Sequence, residues 1–101
     1  MKGASRTKVE KDYHDRIAGV GCIACLQDGI VNPWVSLHHI DGRTKPGAHL
    51  KVLPLCGPHH QQDDRSGVVA VHPNKARFQQ EYGSQYELLA QAKQIAGISS
   101  N

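Results

Sequence analysis

The stretch KVLPLCGPHH at residues 51–60 is the most informative part of the sequence, because a short apolar run leads directly into a cysteine and two adjacent histidines. The run KVLPL predicts a β-strand. The Gly57-Pro58 pair after it favours a turn, and we expect a short helix to begin near Pro58 and to reach about as far as Asp64. Cysteine and histidine would then lie where this strand gives way to a helix.

A second strand is predicted immediately upstream. WVSLHHI at residues 34–40 is rich in strand-forming residues and also ends on two adjacent histidines. The connection DGRTKPGAH at residues 41–49 carries Asp-Gly and Pro-Gly turn signals. The sequence therefore predicts a β-hairpin that is followed by a short helix.

Helices are predicted on both sides of this hairpin. Two capping-box patterns, Thr7 with Glu10 and Ser84 with Glu87, mark helix starts. The first helix would end near Gly19, and further helices are expected at 74–83 and 84–97, the last with an apolar stripe of Tyr86, Leu89, Ala92 and Ile95. GCIACLQDG at 21–29 predicts a knuckle-like turn, and VVAVHP at 68–73 a brief extended segment. The expected fold is α+β, as one small domain over residues 1–101 with residues 1–6 frayed.

The composition limits the possible classes of protein. Only 39% of the 101 residues are hydrophobic and 5% are aromatic, so the core is thin and a stabilising cross-link is expected. The net charge of +3 permits nucleic-acid binding without requiring it. The sequence shows neither an apolar run long enough to span a membrane nor the apolar stretch of a signal peptide, so a cytoplasmic protein is the default expectation.

The three cysteines predict a metal site. Cys22-x-x-Cys25 and Cys56-x-x-His59 are two ligand pairs of matching spacing, and a set of three cysteines and one histidine suits structural Zn²⁺. An odd cysteine count argues against a framework of disulfides alone. The alternatives are that the cysteines are small core residues, or that Cys22 and Cys25 form a redox pair, which a surrounding βαβ pattern would have favoured.

The adjacent histidines predict a division of labour. Successive side chains of a strand point to opposite faces, so His38 and His39 cannot both easily reach one ion. One would bind metal while the other acts beside it as a base. If His59 closes the zinc site, His60 faces the hairpin and can share a ligand role with Asp64. The competing interpretation is that these histidines are solvated at the rim of a zinc site, and for His14 and His49 it is the preferred one.

These motifs resemble the HNH endonuclease pattern on a ββα-metal fold: a strand ending in HHI, a loop, a strand ending in LPLC, and then HH. More narrowly, GCIAC, HHI, LPLCGPHH and VHPNKARFQQEYGSQYELLAQ are together similar to the phage recombination-enhancement (Ref) nucleases, which are described as RecA-dependent. The resemblance covers about residues 15 to 95. It implies an HNH core with a structural zinc knuckle and flanking helices, acting as a metal-dependent DNA endonuclease in recombination.

Carried over residue by residue, the resemblance makes His38 and His60 ligands of a catalytic Mg²⁺ or Mn²⁺ ion, with Asp64 or His72 as a possible third ligand. His39 corresponds to the general base. The structural zinc ligands implied are Cys22, Cys25, Cys56 and His59. The sequence departs from the HNH pattern where an asparagine usually precedes the second strand: Lys51 is there, with His49 two residues earlier, and which of them orients His39 stays open.

The resemblance also bears on partners. Phosphates of DNA would be contacted by Arg43, Lys45, Lys51, Arg65, Lys75 and Arg77, which position a strand without reading its bases. A RecA filament is the second expected partner. Ref nucleases carry a long basic extension before the domain, whereas this sequence begins almost at the domain, so weaker dependence on RecA is expected.

Trp34 is expected to be a core residue, with stacking on a base as the alternative. A non-catalytic zinc module that binds nucleic acid or protein is the competing function.

Overall fold

The centre of the protein is an antiparallel hairpin of Ser36–His39 (β1) and Val52–Leu55 (β2). The computed structural model describes residues 6–60, 70–72 and 75–98. The register pairs His38 with Leu53 and His39 with Val52. A 3-10 helix at Ala48–Leu50 completes the connection between the strands. The predicted hairpin and α+β class are confirmed, with β1 shorter at both ends than the sequence suggested.

Helices cover this hairpin. In chain order they are Lys8–Ala18 (α1), Ile23–Gln27 (α2), Gly57–His60 (α3), Lys75–Tyr82 (α4) and Gln85–Ala96 (α5). Helices α1, α2 and α5 pack against β2, all four residues of which are buried. The apolar core lies between these elements and includes Ile17, Leu53, Phe78 and Leu88. No helix in the described residues is long and apolar enough to cross a membrane.

Both predicted capping boxes are present. The Thr7 and Ser84 side chains accept hydrogen bonds from the backbone N–H groups of Glu10 and Glu87, and each glutamate side chain accepts one in return. Gly97 ends α5 with a left-handed φ of 73°, which glycine adopts without steric cost. Short-range hydrogen bonds thus fix these helix ends, and the sequence patterns predicted the two capping boxes and the Gly97 terminus.

Two local predictions were wrong. The cysteine-containing stretch forms helix α2 rather than a plain turn, because the Cys22 sulfur accepts a hydrogen bond from the Cys25 N–H and so caps a helix. In α5, Tyr86 and Ile95 are exposed, and the buried face consists of Gln85, Leu88, Leu89 and Ala92. The polar side chain of Gln85 lies on this inward face, where it bonds to a histidine of β1.

The expectation that Trp34 belongs to the core was also wrong, since 83% of its surface is exposed. Its backbone N–H donates to the Asn32 side chain, and the Asn32 carbonyl accepts from the N–H of Cys22. The turn around Asn32 passes so close to Gly21 that a Cβ at that glycine would lie 2.9 Å from the Asn32 carbonyl oxygen. The tryptophan is therefore held outward by a turn tied to the cysteines.

Several predictions fall on residues outside the described ranges: the fraying of residues 1–5, the end of the short helix at Asp64, and parts of the extended segment at 68–73. Within that segment Val71 and His72 donate backbone hydrogen bonds to the carbonyls of His59 and His60. Those two bonds bring His72 beside the end of α3.

Candidate metal centres and active site

The four predicted zinc ligands, Cys22, Cys25, Cys56 and His59, meet in one buried cluster, called here the Cys/His cluster. The Cys25 and Cys56 sulfurs are 3.8 Å apart, and His59 Nδ1 lies 3.1 to 3.5 Å from the three sulfurs. A tetrahedron with Zn–S bonds of about 2.3 Å has S···S edges of about 3.8 Å. The cysteines are free thiols rather than a disulfide. The cluster could hold a metal ion, and its dimensions fit zinc.

The pKa values of the cysteine thiols in this cluster also favour binding of a cation. Burial raises the pKa of Cys22, but hydrogen bonds from His59 and the backbone outweigh it and lower that pKa to about 6. Burial and the neighbouring Cys22 sulfur raise the pKa of Cys25 to about 12. One thiolate is therefore available at neutral pH, and binding of a cation must expel the remaining thiol protons.

A second layer of hydrogen bonds orients His59. Its Nε2 lies 3.1 Å from the Tyr82 hydroxyl, which itself donates to the Asp28 carboxylate at 2.9 Å. Because the Tyr82 proton is used for Asp28, His59 must donate its Nε2 proton to Tyr82, and Nδ1 is the ring nitrogen that faces the sulfurs. Outer partners of this kind hold a histidine ligand in one tautomer.

The hairpin sends its two adjacent histidines to different sides. His38 is buried and belongs with His60 and His72 in a first histidine cluster, whose ligand nitrogens lie within 4.8 Å of one another. The His38 ring centre is 5.1 Å from that of His60 and 4.9 Å from that of His72. The structure thus brings together three of the four residues named for the catalytic ion, and Asp64 lies outside the described residues.

Two members of this first cluster, His38 and His60, each have one ring nitrogen engaged in a hydrogen bond. His38 Nε2 lies 2.6 Å from the Gln85 amide oxygen, and His60 Nδ1 lies 2.7 Å from the Ser36 hydroxyl. Burial lowers the pKa of His38 to about 4 and also lowers that of His60. Both shifts favour the neutral form of the ring, which a metal ligand requires.

His39 belongs to a second histidine cluster with His14 and His49. His39 Nε2 is 3.1 Å from His49 Nδ1, and His14 Nε2 donates to the His49 carbonyl oxygen at 2.6 Å. Arg6 donates to His14 Nδ1 at 3.0 Å. Burial, followed by the positive charge of Arg43, lowers the pKa of His39 to about 4. A neutral imidazole beside two arginines can take a proton from water near an anion.

Most of the cationic residues named for DNA contact lie at the surface of the protein. Arg43, Lys45, Lys75 and Arg77 are exposed, and Lys51 is half-buried. Arg43 acts on His39 through its charge, which places it on the side of the second cluster. Arg65 lies outside the described residues.

Sequence reasoning missed the residues that hold these side chains in place. Gln85, Ser36, Tyr82 and Asp28 gave no signal, because they act through contacts between residues distant in the chain. His14 and His49 were taken as rim residues, yet both are buried, at 2% and 8% exposure. The unusual number of histidines was the one available hint.

The sequence also matches the model of a known protein family. The model of the family described as "Recombination enhancement, RecA-dependent nuclease" matches residues 6–97, and so includes both capping boxes, the Cys/His cluster and both histidine clusters. The description of this family is that of a RecA-dependent nuclease with a role in recombination, which makes DNA and RecA the partners of interest for the family. On the strength of a match over nearly the whole chain, this protein belongs to the recombination-enhancement, RecA-dependent nuclease family.

Proposed function

We propose that this protein is an HNH-type, metal-dependent endonuclease that hydrolyses phosphodiester bonds of DNA. The observation that carries the proposal is the division at the end of β1, where His38 and His39 enter two different histidine clusters. A ligand group on one side and a neutral basic group on the other are what hydrolysis by an activated water requires.

On the ion side, His38 and His60 would hold a divalent cation, with His72 as third ligand. A bound Mg²⁺ or Mn²⁺ supplies charge neutralisation at the phosphate and at the leaving oxygen. Three imidazoles are an unusual set for Mg²⁺, which prefers oxygen ligands, so Mn²⁺ fits this cluster better. His72, whose ring centre lies 5.9 Å from that of His60, is the exposed member of the cluster.

On the base side, His39 accepts the proton of the attacking water. If its Nε2–H donates to His49 Nδ1, the Nδ1 lone pair of His39 is left for water. His49 then does the orienting work that the sequence left open between His49 and Lys51. His14 supports it by donating to the His49 carbonyl.

The Cys/His cluster takes the role of a structural zinc site. It lies between α2 and the β2–α3 junction and ties two segments that are more than 25 residues apart in the chain. A core this small gains from such a cross-link, since a site that forms only on folding adds its binding free energy to stability.

DNA is proposed to be contacted through its phosphates by Arg43, Lys45, Lys51, Lys75 and Arg77, together with Arg65. Contacts of this kind give salt-sensitive binding with little sequence preference. The family description adds the expectation that cleavage depends on RecA, so RecA-coated DNA is the appropriate substrate.

The test is cleavage of naked and RecA-coated DNA, in Mg²⁺ and in Mn²⁺, by the wild type, by His39→Ala and by Gln94→Ala, an exposed change on α5. Removing a general base should lower the rate by about 10²- to 10⁴-fold, while zinc content, folding and DNA affinity stay at wild-type values. Gln94→Ala should cut like the wild type. If folded, zinc-loaded wild type binds DNA and cuts neither substrate, the protein is a non-catalytic zinc module instead.

A further inference from the structure

A buried glutamine lies directly against the first histidine cluster. Gln85 is 3% exposed, although it is the first residue of α5, a position where polar side chains usually meet water. A buried amide is costly unless its groups are hydrogen-bonded. Both of its polar atoms are used: the oxygen lies 2.6 Å from His38 Nε2, and the nitrogen donates to the Gln79 side-chain oxygen at 3.3 Å.

This pattern fixes which way the imidazole of His38 is protonated. The Gln85 oxygen can only accept, so His38 must carry its proton on Nε2. Its lone pair is then on Nδ1. The Gln85 amide nitrogen points to Gln79 on the preceding helix, so its oxygen is the end that meets His38.

We infer that Gln85 is a positioning residue for the catalytic ion: it fixes His38 in the tautomer whose Nδ1 faces the ion. This inference rests on the proposed function. Ser36 complements it on the other ligand, because its hydroxyl occupies Nδ1 of His60 and leaves Nε2. The two ligands would thus present different ring nitrogens. The acceptor-only oxygen of Gln85 sets the tautomer of His38, whereas the Ser36 hydroxyl, which can donate or accept, only occupies Nδ1 of His60.

The placement of Gln85 follows from the fold. The Ser84–Glu87 capping box fixes the first turn of α5, and the next turn is buried through Leu88 and Leu89. Gln85 comes directly after the cap and points at β1, where His38 is paired with Leu53. The hydrogen bond therefore links a helix start to a strand end, 47 residues apart in the chain.

The neutral character of Gln85 has its own consequence. A carboxylate in this place would raise the basicity of the imidazole and strengthen its bond to a cation, as outer carboxylates do in metal sites. An amide orients the ring without that gain. Gln85 is thus suited to an ion that exchanges, in contrast with the second layer of the Cys/His cluster, where Tyr82 is backed by the Asp28 carboxylate.

The test compares Gln85→Leu, which removes the acceptor, with Gln85→Glu, which keeps it and adds charge. Gln94→Leu, an exposed change on the same helix, is the matched control. Mn²⁺ binding to zinc-loaded protein is measured by electron paramagnetic resonance, without DNA. The tautomer of His38 in the protein free of Mn²⁺ is read from its ring ¹⁵N shifts.

We expect wild type and Gln94→Leu to carry the His38 proton on Nε2 and to bind Mn²⁺ equally. Gln85→Leu should weaken Mn²⁺ binding by about 10- to 100-fold, and Gln85→Glu should match or exceed wild type. Folded Gln85→Leu with wild-type Mn²⁺ affinity, or an Nδ1-protonated His38 in the wild type, would overturn the inference alone. Wild-type protein that binds no Mn²⁺ would overturn the ion-binding half of the proposed function as well.

Discussion

His49 shows how much the role of a single residue depends on its neighbours in space. It follows a loop, ten residues after His39, and the sequence allowed two roles for it, a solvated histidine or the residue that orients His39. In the structure it is buried, lies against His39 Nε2 and receives a hydrogen bond from His14 on its carbonyl oxygen. A base needs such a partner, because a ring that turns freely seldom directs its lone pair at the water.

Replacement of His49 should therefore act on the rate rather than on binding. For His49→Leu we expect a fall in kcat of about 100-fold with little change in KM, since a misdirected catalytic group costs that much. His49→Asn, which keeps a polar side chain able to accept from His39, should recover part of the rate. Steady-state cleavage of RecA-coated DNA measures both. An unchanged kcat in folded His49→Leu would mean that another residue orients His39.

At this scale the sequence predicts ligand types well and their supports poorly. The Cys-x-x-Cys and Cys-x-x-His pairs carry a spacing that reflects metal geometry, so the Cys/His cluster could be foreseen. Gln85 and Tyr82 act across 47 and 23 residues of chain through single hydrogen bonds. No short-range pattern records such contacts, and the sequence alone could not reveal them.

Among the elements, the hairpin decides the arrangement of the site. His38 and His39 separate because successive residues of a strand face opposite ways. A slip of one residue in the register would exchange their sides, so pairing of His38 with Leu53 and of His39 with Val52 fixes which histidine enters which cluster. The burial of β2 on both faces makes such a slip costly.

The helix caps offer a comparison between two like elements. Thr7→Ala and Ser84→Ala each remove one side of a capping box and should each lower the free energy of unfolding by about 1 kcal/mol. Only Ser84→Ala loosens the turn that carries Gln85, so only it should also weaken Mn²⁺ binding. Urea unfolding and Mn²⁺ titration check the two effects. Equal Mn²⁺ affinity in both variants would separate the cap of α5 from the ion site.

Element boundaries were predicted where local chemistry decides them. Both capping boxes and the Gly97 terminus follow from short-range hydrogen bonds, and all are present. Helix α2 was missed because a cysteine sulfur serves as its cap, which is an uncommon capping group. The inward face of α5 was misjudged because its first residue, Gln85, is polar, so the helical spacing of Gln85, Leu88, Leu89 and Ala92 did not stand out as one apolar stripe.

For the molecule as a whole, buried histidines make stability depend on pH. Burial lowers the pKa of His14, and the charge of Arg6 and electrostatic repulsion from His49 act the same way, while the hydrogen bond to the His49 carbonyl and the charge of Glu10 oppose them. The unfolded chain binds this proton more readily than the folded one. Stability from His14 is therefore fully present above the ordinary histidine pKa of about 6.5 and is lost as pH falls below it.

This dependence can be measured with His14→Gln, which keeps an amide donor and acceptor but cannot be protonated. Urea unfolding of zinc-loaded wild type and variant between pH 8 and about pH 5.5 should show stability falling with acid in both. The fall should be shallower in the variant. Parallel curves would mean that His14 does not contribute to the pH dependence.

The outward position of Trp34 has a practical consequence for spectroscopy. It is the sole tryptophan of the chain, and 83% of its surface meets solvent in the folded protein. Its emission will already resemble that of indole in water, so fluorescence should change little on unfolding and is a poor probe of stability. Asn32 connects the turn that carries Trp34 to Cys22 and Cys25. A change in Trp34 emission would therefore indicate binding of a partner on this side of the Cys/His cluster. Quenching by added DNA would then mark stacking of a base, against a background that folding does not disturb.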